Sequence, residues 1–339
     1  MTTKTYNLDQ IFAVTTKFID DNVQRVWEVT TPLHKEIMKR KKYVDGGNRL
    51  TVALDFNPNN TIGFITGTSA DLLNINTQQT AIPAELDWKY LNSNFSVTLQ
   101  DLNTTADSKH AIVSLVTLKA ENAIASVRQF TAKAFYGSAA NDPLAFNGFG
   151  DIFAASGTAY AGLLDTDLGV DAAGDKVWLP QIDTTSTYVD YQTINTMMTK
   201  LKTKAASSGA ENTLDFMVSK PEVLSKFKEV QQAQQRFIDA KDLESGFDAI
   251  KVNGVLWFAD DNCPGSGTAY PLYLINSGSM KFFYKYGFEG KNSPQDVSGL
   301  RLPNQPIMVH QKFYTGNLFC VNRRVNGVFK ALNPAATRS

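Results

Sequence analysis

The chain has 339 residues, room for about two domains, and its 33 Lys plus Arg are balanced by 33 Asp plus Glu. A nucleic-acid-reading domain advertises itself with a basic excess; none exists here, which argues against sequence-specific DNA recognition and leaves room only for local basic patches. Charged residues are only 19% against a typical ~25%, while 43% are apolar, so a core can form beneath a neutral, polar surface that suits cover by neighbours.

The two cysteines, Cys263 and Cys320, have the spacing of no metal site and read as buried small apolar residues. The start, MTTKTYNLDQ, has no charged-then-apolar leader, and no apolar run approaches the ~20 residues that span a bilayer. These features predict a soluble protein made in a reducing cytoplasm, without a membrane partner.

In chain order, residues 1–48 read as an arm with helical parts, because Ile11, Phe12, Val14, Phe18, Val23, Val26 and Trp27 recur at loosely helical spacing. The basic run HKEIMKRKKY suits the negative end of a helix dipole before it reads as a contact for DNA phosphate or an acidic neighbour, and Gly46-Gly47 breaks the segment. Residues 49–101 read as extended. RLTVALDF alternates with the period of a strand, Asn57-Pro58-Asn59-Asn60 signals a turn, and DWKYLNSNFSVTLQ reads as the returning strand. Its apolar parity changes, with Trp88 and Tyr90 on one face but Phe95, Val97 and Leu99 on the other, so a bulge intervenes or both faces find contacts. Such a hairpin has little core of its own and must lie on something, a neighbouring subunit being the natural candidate. The contact residues expected there are Phe56, Phe64, Trp88 and Tyr90, and Trp88→Ala is expected to impair assembly more than folding.

Residues 107–136 predict one long spine helix of about 45 Å. Ile112, Leu115, Val116, Lys119, Ala123, Val127, Phe130 and Ala134 form its stripe, Asp107 or Ser108 its cap, and Gly137 its end. A mixed α/β region follows. A short helix is expected within NDPLAFNGFGDIFA and an amphipathic helix over YQTINTMMTKLKTKAAS. A strand over Leu214–Val218 leads into a helix whose start, Ser219-Lys220-Pro221-Glu222, has a capping pattern. Val255–Ala259, PLYLIN, MKFFYKYGFEG, PIMVHQKFYTGNLFCVN and RVNGVFKAL read as strands.

No catalytic constellation emerges. His34, His110 and His310 show no i, i+4 pairing for a metal and read as structural. Cys320 with His310 is the one nucleophile–base combination, with nothing nearby to lower the thiol pKa. Gly148-Phe149-Gly150 lacks the third glycine of a dinucleotide fingerprint. CPGSG runs into a strand, which offers no helix N-terminus to a phosphate. Asp260-Asp261 ends a strand, and Asp165 with Asp167 reads as a solvated turn before it reads as a cation site. No cofactor, metal or enzymatic activity is expected.

The order of elements is distinctive: helical arm, long two-stranded loop, spine helix, mixed α/β domain, late long strands. It resembles the major capsid proteins of tailed bacteriophages, the Hong Kong 97-like fold, over nearly the whole chain. PAELDWKYLNSNFSVTLQDLN looks like the returning strand of their extended loop. TINTMMTKLKTKAASSG, NTLDFMVSKPEVLSKFKEV and GFDAIKVNGVLWFADDNC resemble their axial domain. The resemblance implies an α+β chain with an N-terminal arm (1–48), an extended loop (49–101), a peripheral domain (102–140 and 279–320) and an axial domain with C-terminal tail (141–278 and 321–339).

By the same resemblance, copies would close as pentamers and hexamers into an icosahedral head around packaged double-stranded DNA, touched non-specifically. Assembly would take place in the host bacterial cytoplasm, with a portal protein and either a separate scaffolding protein or a processed chain. The alternatives are an encapsulin-like nanocompartment shell, another virion component, or an α/β enzyme whose site the sequence does not reveal.

Overall fold

The structure, a computed structural model, describes residues 31–56, 61–64, 77–98, 109–170, 174–207, 214–232, 249–287, 295–301 and 307–336. Two sheets organise it. The first is built on β12 (Ile307–Cys320), the longest strand, which pairs antiparallel with β4 (Lys89–Thr98), β11 (Gln295–Arg301) and β10 (Met280–Tyr286). A two-residue strand, β1 (Lys42–Tyr43), adds parallel to β10. The second sheet runs β5 (Gln181–Asp183), β13 (Gly327–Leu332), β9 (Tyr270–Ile275), β6 (Phe216–Ser219), β8 (Val255–Ala259), β7 (Ala249–Val252).

The spine helix α2 is described over Lys109–Ala134, 26 residues or about 39 Å, and ends two residues before the expected 136. The proposed caps Asp107 and Ser108 lie outside the described residues, as do the side chains of Ile112, Leu115 and Val116. At the far end Gly137 N–H donates to Ala134 O at 3.0 Å. Ala123 and Val127 are buried as the stripe requires, but Phe130 is 59% exposed. Thr131 continues the stripe, and the helix also buries Ala125 and Ala132 on a second side. Its Lys119 Nζ donates to Ser96 O of β4 at 3.1 Å, which ties helix to sheet.

Helix α1 (Pro32–Lys39) begins with proline, fitting a first turn whose N–H groups lack partners anyway. Of the expected arm (1–48), residues 1–30 lie outside the described residues, and residues 32–39 form α1. Leu33 and Ile37 are buried in the main core, and His34 stacks on Phe135 at 5.7 Å. The basic run is partly paired: Lys39 with Glu36, and Arg40 with Asp215 at 3.7 Å.

The two-stranded loop is a hairpin of β2 (Arg49–Asp55) and β3 (Ala81–Asp87), in register from Arg49 opposite Asp87 to Asp55 opposite Ala81. The returning strand is therefore AIPAELD. The expected returning strand, DWKYLNSNFSVTLQ, instead enters the first sheet as β4, with Trp88 at the changeover. This explains the parity change: the alternation restarts because the strand pairs with a different partner.

In the second sheet, α4 (Tyr191–Ser207) and α5 (Pro221–Gln232) enclose a core of Ile194, Met198, Leu201, Leu224, Phe227 and Trp257, all essentially buried. Helix α3 is one turn, Phe149–Ile152. Ser219 does not cap α5. It lies in β6, and its Oγ accepts Trp257 Nε1–H at 2.9 Å; Pro221 and Glu222 still occupy the first turn. Strands β7 and β8 are joined by Asn253-Gly254, with φ of 50° and 86°, the paired positive values that a type I′ turn demands.

Candidate subunit-contact surface

The hairpin root is fastened to its own chain. Trp88 is buried, its Nε1–H donates to Gly47 O at 3.2 Å, and the Lys285 ammonium sits 4.5 Å above its ring. Lys285 Nζ also donates to Gly47 O. Gly46 and Gly47 have φ of 77° and 80°, a backbone that residues with a Cβ adopt only at a cost, and it is this turn that presents the Gly47 carbonyl. Farther along, Asn317 Nδ2 donates to Asp87 O at 2.8 Å and Glu85 N–H to Ala161 O at 2.9 Å.

The four expected contact residues therefore divide. Trp88 is committed to the chain's own interior, and Phe56 is half-buried against the same core. Phe64 and Tyr90 stay exposed, Phe64 completely and Tyr90 at 74%. They lie on different elements, Phe64 in the connection between β2 and β3 and Tyr90 at the start of β4. The sequence reading passed over Ile62 and Leu144, both more than four-fifths exposed. A single apolar residue in a polar loop gives no periodic signal of exposure.

The groups considered for catalysis have structural roles. Cys320 and His310 share strand β12 ten residues apart, about 33 Å along an extended chain, so they cannot act as a pair. His310 stacks on Phe95 at 4.8 Å. Burial raises the Cys320 thiol pKa to about 12 and pushes Cys263 up as well; both are free and buried. Asp165 is buried, not a solvated turn, and Lys176 Nζ donates to it at 2.7 Å. That bond and one from Ser156 hold its carboxyl down at about 2. Asp167 accepts Leu164 N–H at 2.7 Å. Asp260 is almost wholly buried and accepts Tyr136 O–H at 2.9 Å; desolvation raises its pKa.

Arg323, also fully buried, donates to the carbonyls of Ile152 at 2.9 Å and Trp178 at 3.1 Å and lies over the Tyr160 ring. A buried guanidinium is tolerated when its N–H groups are satisfied and its charge rests on π-faces. Among the described residues no three His, Cys, Asp or Glu side chains are grouped to hold a metal, and no helix is long and apolar enough to cross a membrane.

Similarity to known structures runs from end to end of this arrangement. The capsid of cyanophage A-1(L) matches at TM-score 0.66 and 14% identity, covering 94% of this chain and 97% of that one. The capsid of the native GTA particle matches at 0.60 and 11%, covering 93% and 96%. The holo-SrpI encapsulin of Synechococcus elongatus PCC 7942 matches at 0.56 and 10%, covering 94% and 95%. No family model and no curated protein matches the sequence. The chain has the mixed α and β fold of phage major capsid proteins, which the encapsulin shares.

Proposed function

We propose that this chain is the major capsid protein of a tailed phage, a shell subunit and not an enzyme. Copies associate as pentamers and hexamers into an icosahedral head around double-stranded DNA, assembled in the host bacterial cytoplasm with a scaffolding protein and a portal as partners. The observation that carries the reading is the likeness to the A-1(L) capsid over 94% of this chain and 97% of that one. The exposed apolar side chains fit it: Ile62, Phe64, Tyr90 and Leu144 are 84%, 110%, 74% and 83% exposed among the described residues, and a neighbour would remove them from water at ~25 cal/mol per Å². Phe64 and Tyr90 are the contact residues retained, while Phe56 is half-buried against the chain's own core. The first sheet with α2 forms the peripheral domain, and the second sheet with α4 and α5 the axial domain.

A second reading, an encapsulin-like nanocompartment, is supported by the SrpI match. Negative-stain electron microscopy and sedimentation of the purified protein test both. Closed shells or capsomer rings are expected, and a compact monomer alone, with or without an added scaffold, would overturn the shell reading. Nucleic acid inside particles from infected cells favours the phage head; protein cargo favours the compartment.

A further inference from the structure

Strand β2 pairs with β3 along one edge and has no strand partner on the other among the described residues. The register shows which backbone groups line that open edge. Phe56 N–H donates to Thr80 O across the hairpin at 3.0 Å, whereas Glu85 N–H points away from β2, to Ala161 O. Backbone direction alternates along an antiparallel pair. Leu50, Val52 and Leu54 therefore bond to β3, and Arg49, Thr51, Ala53 and Asp55 direct their N–H and C=O groups outward.

The outer edge of β3 is closed. Pro83 has no N–H, the Glu85 N–H is taken by Ala161, and the Asp87 carbonyl is taken by Asn317. These are devices by which sheets avoid unwanted pairing. Strand β2 has none of them: seven residues, no proline, no bulge, and short exposed side chains at Thr51 and Ala53.

The sequence of β2, RLTVALD, is self-complementary when reversed. With two copies antiparallel about Val52, Thr51 faces Ala53 of the second copy, Leu50 faces Leu54, and Arg49 faces Asp55 at both ends. Outward-directed residues meet outward-directed residues, so the hydrogen bonds close. Leu50 and Leu54 continue one buried face. A slip of two residues, the smallest that keeps the backbone groups opposed, loses both opposite-charge pairs. Arg49 already holds Glu85 at 3.2 Å and Asp87 at 3.0 Å, and a guanidinium with five N–H donors has capacity for a third carboxylate.

We propose that β2 is a self-pairing edge, joining two copies of this chain about a twofold axis at Val52 into a four-stranded β3-β2-β2-β3 sheet. Such an interface is isologous, and four strands give the hairpin the stability that two strands lack. The pairing needs only two copies, so it goes beyond the shell reading and stands or falls apart from it.

The test is Val52→Cys in the full chain under mild oxidation, read on a non-reducing gel. Facing residues of this kind have Cα atoms about 4.5 Å apart, within disulfide reach, and native Cys263 and Cys320 are buried. A majority of chains is expected at twice the monomer mass. Thr51→Cys alone, about 7–8 Å from its copy on the diagonal, is expected to stay monomeric. Adding Thr51→Pro to Val52→Cys should abolish the cross-link and leave the circular dichroism unchanged, because that N–H points away from β3. Without any cysteine, Asp55→Arg sets like charges together at both ends and should weaken dimerisation about tenfold in sedimentation. Cross-linking no greater at Val52 than at Thr51, or indifferent to the proline, overturns the proposal. Shells without the cross-link reject the pairing and keep the shell reading; cross-linked dimers without shells do the reverse.

Discussion

The Lys285 ammonium lies 4.5 Å from the centre of the Trp88 ring, and both side chains donate to the Gly47 carbonyl. The two roots of the hairpin, Gly47 before β2 and Trp88 after β3, are thereby held by strand β10 of the same chain. Trp88→Ala should lower folding stability by about 3–5 kcal/mol, seen as an earlier urea midpoint of the unassembled subunit. This reverses the expectation that assembly would suffer first. Lys285→Met, which keeps the apolar stem, should cost about 0.5–2 kcal/mol. A Trp88→Ala subunit with the parent midpoint would show that the clasp contributes nothing.

Gly148 passes against the end of the spine helix so closely that an added Cβ would lie 2.6 Å from the carbonyl oxygens of Gly137 and Phe135. Backbone atoms cannot rotate aside. Gly148→Ala should destabilise by about 3 kcal/mol, whereas Gly63→Ala, where a Cβ meets nothing within 4 Å, should be neutral. Thermal melts of the two variants side by side provide the comparison.

Arg323 gathers the carbonyls of Ile152 and Trp178, from segments far apart in the chain, around one buried guanidinium. Lysine cannot reproduce the fork. Arg323→Lys should therefore lose about 3 kcal/mol or more, since buried acceptors are left without donors. Hydrogen exchange should rise first between residues 151 and 178, before global unfolding.

Asp165 carries a pH dependence of known sign. Hydrogen bonds from Lys176 and Ser156 lower its pKa from 3.8 to about 2. The contribution is therefore present above 3.8 and is lost as pH falls towards about 2. Urea midpoints should drop across that window by more than in Lys176→Met. Equal drops in the two proteins would remove Asp165 from the account.

Phe64, fully exposed, separates folding from assembly. Phe64→Ser should leave subunit stability within about 0.5 kcal/mol and reduce the yield of particles in sedimentation. Unchanged yield would take Phe64 out of the subunit contacts.

The second sheet and its helices were legible because Ile194, Met198 and Leu201 repeat at helical spacing and Val255–Ala259 is a short run bounded by turn residues. The changeover at Trp88 was visible as a broken alternation, but its cause, a new strand partner at Tyr314 and its neighbours, is a contact across the chain that no local pattern encodes. Phe130 misled for a related reason. A stripe marks one buried side, and α2 is held on two, the second marked only by alanines. At the candidate surface, residue type alone put Trp88 with Phe64. Burial separates them, and the core that takes in Trp88, like the Lys285 ammonium over its ring, comes from segments far away in sequence.

Strand β12 is the last member of its sheet to be synthesised, yet β4, β10 and β11 all hydrogen-bond to it. A nascent chain that has not reached Ile307 has no place to seat β4, and the spine helix lacks the sheet it lies on. Contacts this distant in sequence form late and slowly. An interrupted chain therefore has no finished first sheet, and on the proposed shell reading it would be excluded from a growing particle until translation is nearly complete. Quality control is written into the order of the strands.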